Sequence, residues 1–240
     1  MVNIYHGIVL NQIKYSDSQL IIRVFSPNLG AKSYLYRSRK SVKTAGRSII
    51  QPLSIISFSC SMREGKSLNS MQDVQLVHPF VHIPFDPIKS SITLFLQEVM
   101  HKSLLDDYVN DSLYTFLRQA MPLLDDAFDA RNFHVWSMLE ISRNFGFYPL
   151  QSTHKSDGYF QLDEGSFGAS PGPNSLDAET SAVLSNLLHK DWSEIQSINL
   201  HSTTRRSLLL GLSKFLRFHL DGLREIKSIE ILQEVFHTID

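Results

Sequence analysis

Residues 56–62 read Ile-Ser-Phe-Ser-Cys-Ser-Met, four apolar side chains alternating with three serines. A period of two places Ile56, Phe58, Cys60 and Met62 on one face and Ser57, Ser59 and Ser61 on the other, the pattern of a strand with one buried and one wet side. Working outward, the same grammar recurs. Ile4 to Leu10 is a strand with apolar residues on both faces, and Leu20 to Phe25 is rich in β-formers. Ser33 to Tyr36 is a short strand carrying Tyr34 and Tyr36 on one face, and Met71 to Val77 supplies a fifth. Ser26-Pro27-Asn28-Leu29-Gly30 and Arg63-Glu64-Gly65-Lys66 are the turns. Five short strands with a longer connection after the third fit a small closed Greek-key barrel of OB type, and an SH3-like barrel fits the pattern almost as well.

Beyond residue 80 the period changes. Pro79, Pro84 and Pro87 punctuate a connector, and Asp86-Pro87 reads as an N-cap followed by proline in the first helical position. Ile88, Ile92, Phe95, Leu96 and Val99 follow at helical spacing. A second helix is expected from about Ser112 and a third from near Asn132, stopping at Gly146 before Pro149. Residues 150–175 hold six glycines and prolines and no helical pattern, with at most a hairpin at Tyr159 to Phe167. Helices resume behind Asp177, run from about Thr203 to Leu220, and end with one from Ser228. The reading is an α+β chain: an OB-fold barrel over 1–80, then a helical domain over 81–240 with an irregular insertion at about 150–176.

The chain is 42% apolar and 20% charged, which excludes an intrinsically disordered polymer. Apolar runs stop at three residues, as at Leu208 to Leu210, so no membrane helix is expected. The N-terminus, MVNIYHGIVLNQ, lacks the basic-then-apolar pattern of a secretory signal. Cys60 is the only cysteine, so an intramolecular disulfide and any multi-cysteine zinc site are ruled out. A cytoplasmic protein without cofactor is expected.

A net charge of −1 conceals an asymmetry. Residues 1–80 hold ten lysines and arginines against three acids, a net of +7, which leaves −8 for the rest. A basic module joined to an acidic one points to a polyanionic partner for the first. The basic residues concentrate in YLYRSRKSVKTAGRS, where Arg37, Arg39, Lys40, Lys43 and Arg47 fall within eleven residues without an acid, with Lys32 just upstream. Cations beside aromatic rings suit a single-stranded nucleic acid, because charge neutralises phosphates and rings stack on bases. The plainer reading of the same stretch is a solvated loop led by two core tyrosines.

Catalytic patterns are missing. There is no phosphate-binding loop, no dinucleotide glycine fingerprint and no nucleophile elbow. His78 and His82 stand four apart, but the flanking prolines disfavour the helix a metal would need. Asp106-Asp107 and Asp125-Asp126 fall at expected helix ends and read as exposed caps and solvated turns. A second basic set, Arg205, Arg206, Lys214, Arg217, Arg224 and Lys227, shares the penultimate helix and its flank with Leu209, Leu212, Phe215, Leu216 and Phe218. An apolar floor with a cationic rim would accept an acidic peptide with a hydrophobic end; an ordinary exposed helix face explains the set as well.

The ordered series of segments resembles the RecO family of bacterial recombination mediators. The resemblance runs through Gly7-Ile8-Val9-Leu10, Tyr15, Leu20-Ile21-Ile22, Gly30 and Arg37 through Ser41. It continues in IPFDPIKSSITLFLQEV (Ile83 to Val99), NFHVWSMLEISRNFGFYP (Asn132 to Pro149) and KFLRFHLDGLREIKSIEILQEVF (Lys214 to Phe236). It covers most of the chain, is weakest over 150–200, and is closest to the Bacteroidetes type. It implies an OB fold followed by helices, binding of single- and double-stranded DNA, annealing, and cooperation with RecR in loading RecA onto strands coated by single-strand-binding protein. It therefore implies a non-enzymatic, nucleoid-associated protein of the RecFOR pathway. By resemblance the DNA role falls on Arg37, Arg39 and Lys40, while Lys43 and Arg47 are added by charge. Contact with single-strand-binding protein is expected at the Arg205, Arg206, Lys214, Arg217 and Arg224 set. Many members carry a four-cysteine zinc site after the segment corresponding to Gly146-Phe147-Tyr148-Pro149. No cysteine stands there in this chain, so a metal-free remnant held by Tyr159, Phe160 and Phe167 is expected. An RNA-binding OB adaptor without a repair role is the alternative.

Overall fold

The computed structural model describes residues 2–37, 50–62, 68–150 and 158–239. Five strands, β1 (Asn3–Lys14), β2 (Gln19–Ser26), β3 (Gly30–Arg37), β4 (Ile55–Cys60) and β5 (Asn69–His78), close into a barrel in the order β1-β2-β3-β5-β4. All pairings are antiparallel except β3 with β5, which runs parallel from Tyr34↔Asn69 to Tyr36↔Met71. This order, with a long link after β3, is that of an OB barrel and settles the choice against the SH3-like alternative. A shift of register between Val9 and Asn11 bends β1 so that its first half pairs with β4 and its second with β2. Val9, Ile22, Val24, Tyr34, Ile56, Phe58, Cys60 and Met71 fill the interior, each no more than 2% exposed. Cys60 is therefore a small core residue, as its alternation with serines implies.

By its contacts the chain divides into two compact units, residues 1–85 with 100–125 and residues 86–99 with 126–240. In the first unit the barrel is accompanied by the end of α1 (Pro87–Ser103) and by α2 (Asp111–Asp126). Helix α2 buries Leu113, Leu117, Ala120, Met121 and Leu124 at the spacing of one helical face. Gly30 opens β3 with φ of +66°, and a β-carbon there would come within 2.5 Å of the Tyr108 carbonyl oxygen. Only glycine meets both demands at this turn.

Asp125 is 1% exposed, and its carboxylate accepts the backbone N–H groups of Val81, His82 and Ile83 at 2.7–2.8 Å. This corrects its reading as a solvated turn residue: it anchors the segment that leaves β5. Burial opposes its charge, but the three donors outweigh that and hold its pKa below the ordinary value. Asp106 and Asp107 are largely exposed, yet both are engaged by barrel cations.

The second unit is helical: the first part of α1, then α3 (Phe133–Phe145), α4 (Ala178–Leu187), α5 (Trp192–Ile195), α6 (Ser202–His219) and α7 (Ser228–Ile239). Asp86 caps α1 by accepting the Lys89 N–H at 3.1 Å, and Asp177 caps α4 through the Thr180 N–H at 2.8 Å. Helix α3 ends at Gly146, whose φ of +89° turns the N–H groups of Gly146 and Phe147 back to the carbonyls of Arg143 and Ser142. It is buried on nearly every side and forms the centre of this unit. The short α5, which periodicity does not reveal, sets Trp192 against Phe133 and Trp136 at ring distances of 4.8 and 5.8 Å. The expected hairpin is present as β6 (Tyr159–Gln161) and β7 (Ser166–Gly168). Phe160 is fully buried between Phe167 and Phe215, at 5.1 and 5.5 Å. Among the described residues no helix is long and apolar enough to cross a membrane.

Candidate nucleic-acid interface

The cations of the barrel fall into distinct classes. Arg23 is spent internally: its guanidinium donates to the carbonyls of His101 and Leu104 at 2.8 and 2.7 Å and pairs with Asp106 at 2.8 Å. Lys32, expected as a DNA contact, pairs with Asp107 at 2.9 Å and keeps about a third of its side chain exposed. Lys14 pairs with Asp17 at 2.8 Å in full solvent contact. Arg37 is exposed at the last position of β3, where the Gln19 carboxamide, its oxygen turned to the guanidinium, accepts at 3.0 and 3.3 Å. Arg39, Lys40, Lys43 and Arg47 lie outside the described residues, so the expected alternation of Arg37 with Arg39 is traced only to its first member.

Strand parity sorts the aromatic rings. Tyr34 points into the barrel, 1% exposed and edge-on to Phe58 at 4.9 Å, and burial drives its hydroxyl pKa well above the ordinary value. Tyr36 shares that face and packs partly buried against the same core. Tyr34 presents no free ring face for stacking, while Tyr36 is half-buried and lines a surface hollow beside Arg37. The outer face of the same strands carries other groups. Directly opposed residues share a face, so Ile13, Ile21 and Leu35 form one row across β1, β2 and β3. Gln19 and Arg37 form the next row, joined by Tyr15, whose N–H bonds the Gln19 carbonyl at 3.0 Å. On the other side, the row of Asn11, Arg23 and Ser33 is covered through His101, which lies within 3.4 Å of both Asn11 and Arg23 side-chain nitrogens. The upper rows stay open: Ile13 is 54% and Tyr15 63% exposed. Tyr15 and Ile13 are the residues that charge-led reading passes over. Their only signal is position: Ile13 is next to last in β1 and Tyr15 follows its last residue, just before the Ser16-Asp17-Ser18 turn.

Residues 1–80 match the family model described as recombination protein O, N terminal, and residues 84–228 match its C-terminal counterpart. The chain belongs to the RecO family. It is 33% identical over 232 residues to the DNA repair protein RecO of Flavobacterium psychrophilum, covering 96% of this chain and 97% of that one. The protein of the same name from Bacteroides fragilis is 28% identical over 235 residues, and that from Porphyromonas gingivalis 26% over 244.

In the helical unit of this RecO-family chain the second basic set divides in two. Arg205 is only 4% exposed; it donates to the Leu200 carbonyl at 3.2 Å and lies over the Phe236 ring at 5.1 Å. With exposed Arg206, His134, Leu209, Phe236 and His237 it lines a recess of about 420 Å³ that has no acidic side chain in its wall among the described residues. Burial, aided by the Arg205 charge, pushes the His134 pKa down to about 3 and keeps that ring neutral. Lys214 and Arg217 stand on the rim of a separate cleft of about 590 Å³ floored by Leu210, Phe218 and Ile229. Glu225 and Glu230 share that rim, so its cationic character is offset. Arg224 is exposed nearby in sequence but lines neither hollow.

Proposed function

We propose that this chain is a non-enzymatic mediator of recombinational DNA repair, with residues 1–80 gripping DNA and residues 81–240 recruiting protein partners. The observation that carries this reading is RecO-family membership along both halves, joined to an OB barrel with a net charge of +7 in the segment that forms it. The proposed contacts are Arg37, Arg39, Lys40, Lys43 and Arg47, with Lys32 contributing when a phosphate displaces Asp107. Neutralising phosphates releases counterions, which favours binding of both single and double strands. Holding two strands on one cationic surface lowers their mutual repulsion and raises their local concentration, which promotes annealing. With RecR, the protein would then assist RecA loading on strands coated by single-strand-binding protein, in the bacterial cytoplasm at the nucleoid.

For the acidic tail of that partner, the recess beside Arg205 and Arg206 is the better seat. Its wall combines cations with Leu209 and Phe236, whereas Glu225 and Glu230 would repel an acidic peptide at the neighbouring cleft. Charge reversal at Arg206 should abolish tail binding and reversal at Arg217 should leave it; unchanged binding after reversal at Arg206 would defeat this part of the proposal.

The test of the main reading is annealing of complementary fluorescent strands. The wild-type protein should accelerate it, and the triple variant Arg37→Ala, Arg39→Ala, Lys40→Ala should not. Preference for RNA over DNA of equal sequence in direct competition would instead favour the RNA-adaptor reading.

A further inference from the structure

The cleft of about 590 Å³ between α6 and α7 has two walls of opposite sign. Leu210, Lys214, Arg217 and Phe218 come from α6, at steps of four, seven and eight from the first, so they share one edge of that helix. Opposite them stand Glu225, just before α7, and Ile229 and Glu230 within it. One wall is basic and the other acidic, with apolar side chains between them. Leu210 and Phe218 are 46% and 44% exposed. Lys214 is held within its own chain, by the Asn174 side-chain oxygen at 2.8 Å and over the Phe218 ring at 5.5 Å. Arg217 and Glu230 are exposed, and among the described residues neither side chain forms an ion pair within its own chain.

We propose that this cleft is a two-fold interface, in which α6 of one copy of the chain lies against α7 of a second copy. The signs of the walls choose the occupant. An acidic peptide or a nucleic acid meets Glu225 and Glu230, and a basic peptide meets Lys214 and Arg217. The partner must carry both signs on either side of an apolar strip, and the chain itself presents that surface. Charge also chooses the axis. Two copies can meet face to face about a two-fold that runs across the groove or along it. An axis across the groove sets α6 on α6 and the basic wall on the basic wall. An axis along the groove sets α6 on α7, so the basic wall of each copy faces the acidic wall of the other, and the contact occurs twice by symmetry. Leu210 and Phe218 then leave water against the partner's apolar strip, which supplies attraction that exposed ion pairs alone do not. On the DNA-binding reading above, such a pair brings two barrels to one particle, one for each strand to be annealed. The interface itself does not depend on that reading.

The experiment is sedimentation velocity of the full-length chain, free of DNA, over a concentration series. The wild type should shift reversibly from the monomer mass of 27.4 kDa toward twice that value as concentration rises. Arg217→Glu and Glu230→Arg, both at exposed positions, should each raise the dissociation constant about tenfold, because each sets like charges together at two symmetric places. The double variant, Arg217→Glu with Glu230→Arg, should return to within about threefold of the wild type, since the walls have exchanged signs. Phe218→Asp should leave a folded monomer. A wild type of monomer mass at every concentration would overturn the interface, whatever else the cleft takes. A dimer that survives both single charge variants or Phe218→Asp would belong to another face and contradict the proposal. A double variant weaker than either single one would show that the two walls do not meet, and would contradict it equally. Because no DNA is present, each of these results leaves the DNA-binding reading to its own test by annealing.

Discussion

At the scale of single residues, identity in the sequence does not reveal what a charge is for. Arg23, Lys32 and Arg37 read alike along the chain. Arg23 is consumed by two carbonyls and Asp106, Lys32 is held by one exposed acid, and Arg37 projects outward. The sorting depends on residues 101–107, more than sixty positions downstream, which local pattern cannot supply. Asp125 is the sharpest case, since its three donors come from a segment over forty residues earlier. Asp125→Asn keeps the shape but replaces one acceptor oxygen with an amide that faces donors. The cost should be about 2–3 kcal/mol in urea unfolding. Because folding lowers the Asp125 pKa, its charge contributes fully above the unfolded value of about 3.9 and the contribution is lost as the pH falls through the folded value. The Asn variant should accordingly show a flatter decline in stability below pH 4 than the wild type. Parallel declines would mean that Asp125 does not govern acid stability.

At the scale of elements, much was legible. Alternation and β-rich composition located all five strands, and the caps at Asp86, Asp177 and Gly146 marked helix ends where the structure has them. Local chemistry writes these features, so local reading recovers them. The short α5 escaped because four residues carry less than two turns of periodicity. The tyrosine pair before the basic run was read for its rings, but β3 parity turns Tyr34 inward, and an exposed ring is that of Tyr15, just after β1. The hairpin of β6 and β7 is held by packing. Phe160 sits where burial is complete, and its N–H bonds the Ser181 hydroxyl at 3.0 Å. Phe160→Ala should cost about 3–5 kcal/mol. Exhaustive chelation should leave the thermal midpoint unmoved, because no cysteine occupies this region. A chelator-induced drop of several degrees would contradict the account of the hairpin.

At the scale of the whole molecule, the governing quantity is the distribution of charge. In the proposed reading, a chain with net charge −1 has a polyanion-binding end because +7 is gathered in its first third and −8 is spread over the remainder. Long-range attraction of this kind is screened beyond about 10 Å at 0.1 M salt, so affinity must fall steeply as salt rises. The direct measurement is the slope of log affinity against log salt concentration for a fluorescent single strand. It should be taken with the wild type and with Arg37, Arg39 and Lys40 changed together to alanine. Loss of three phosphate contacts should flatten the slope by about two units. Superimposable slopes would show that the cations beyond β3 do not hold DNA.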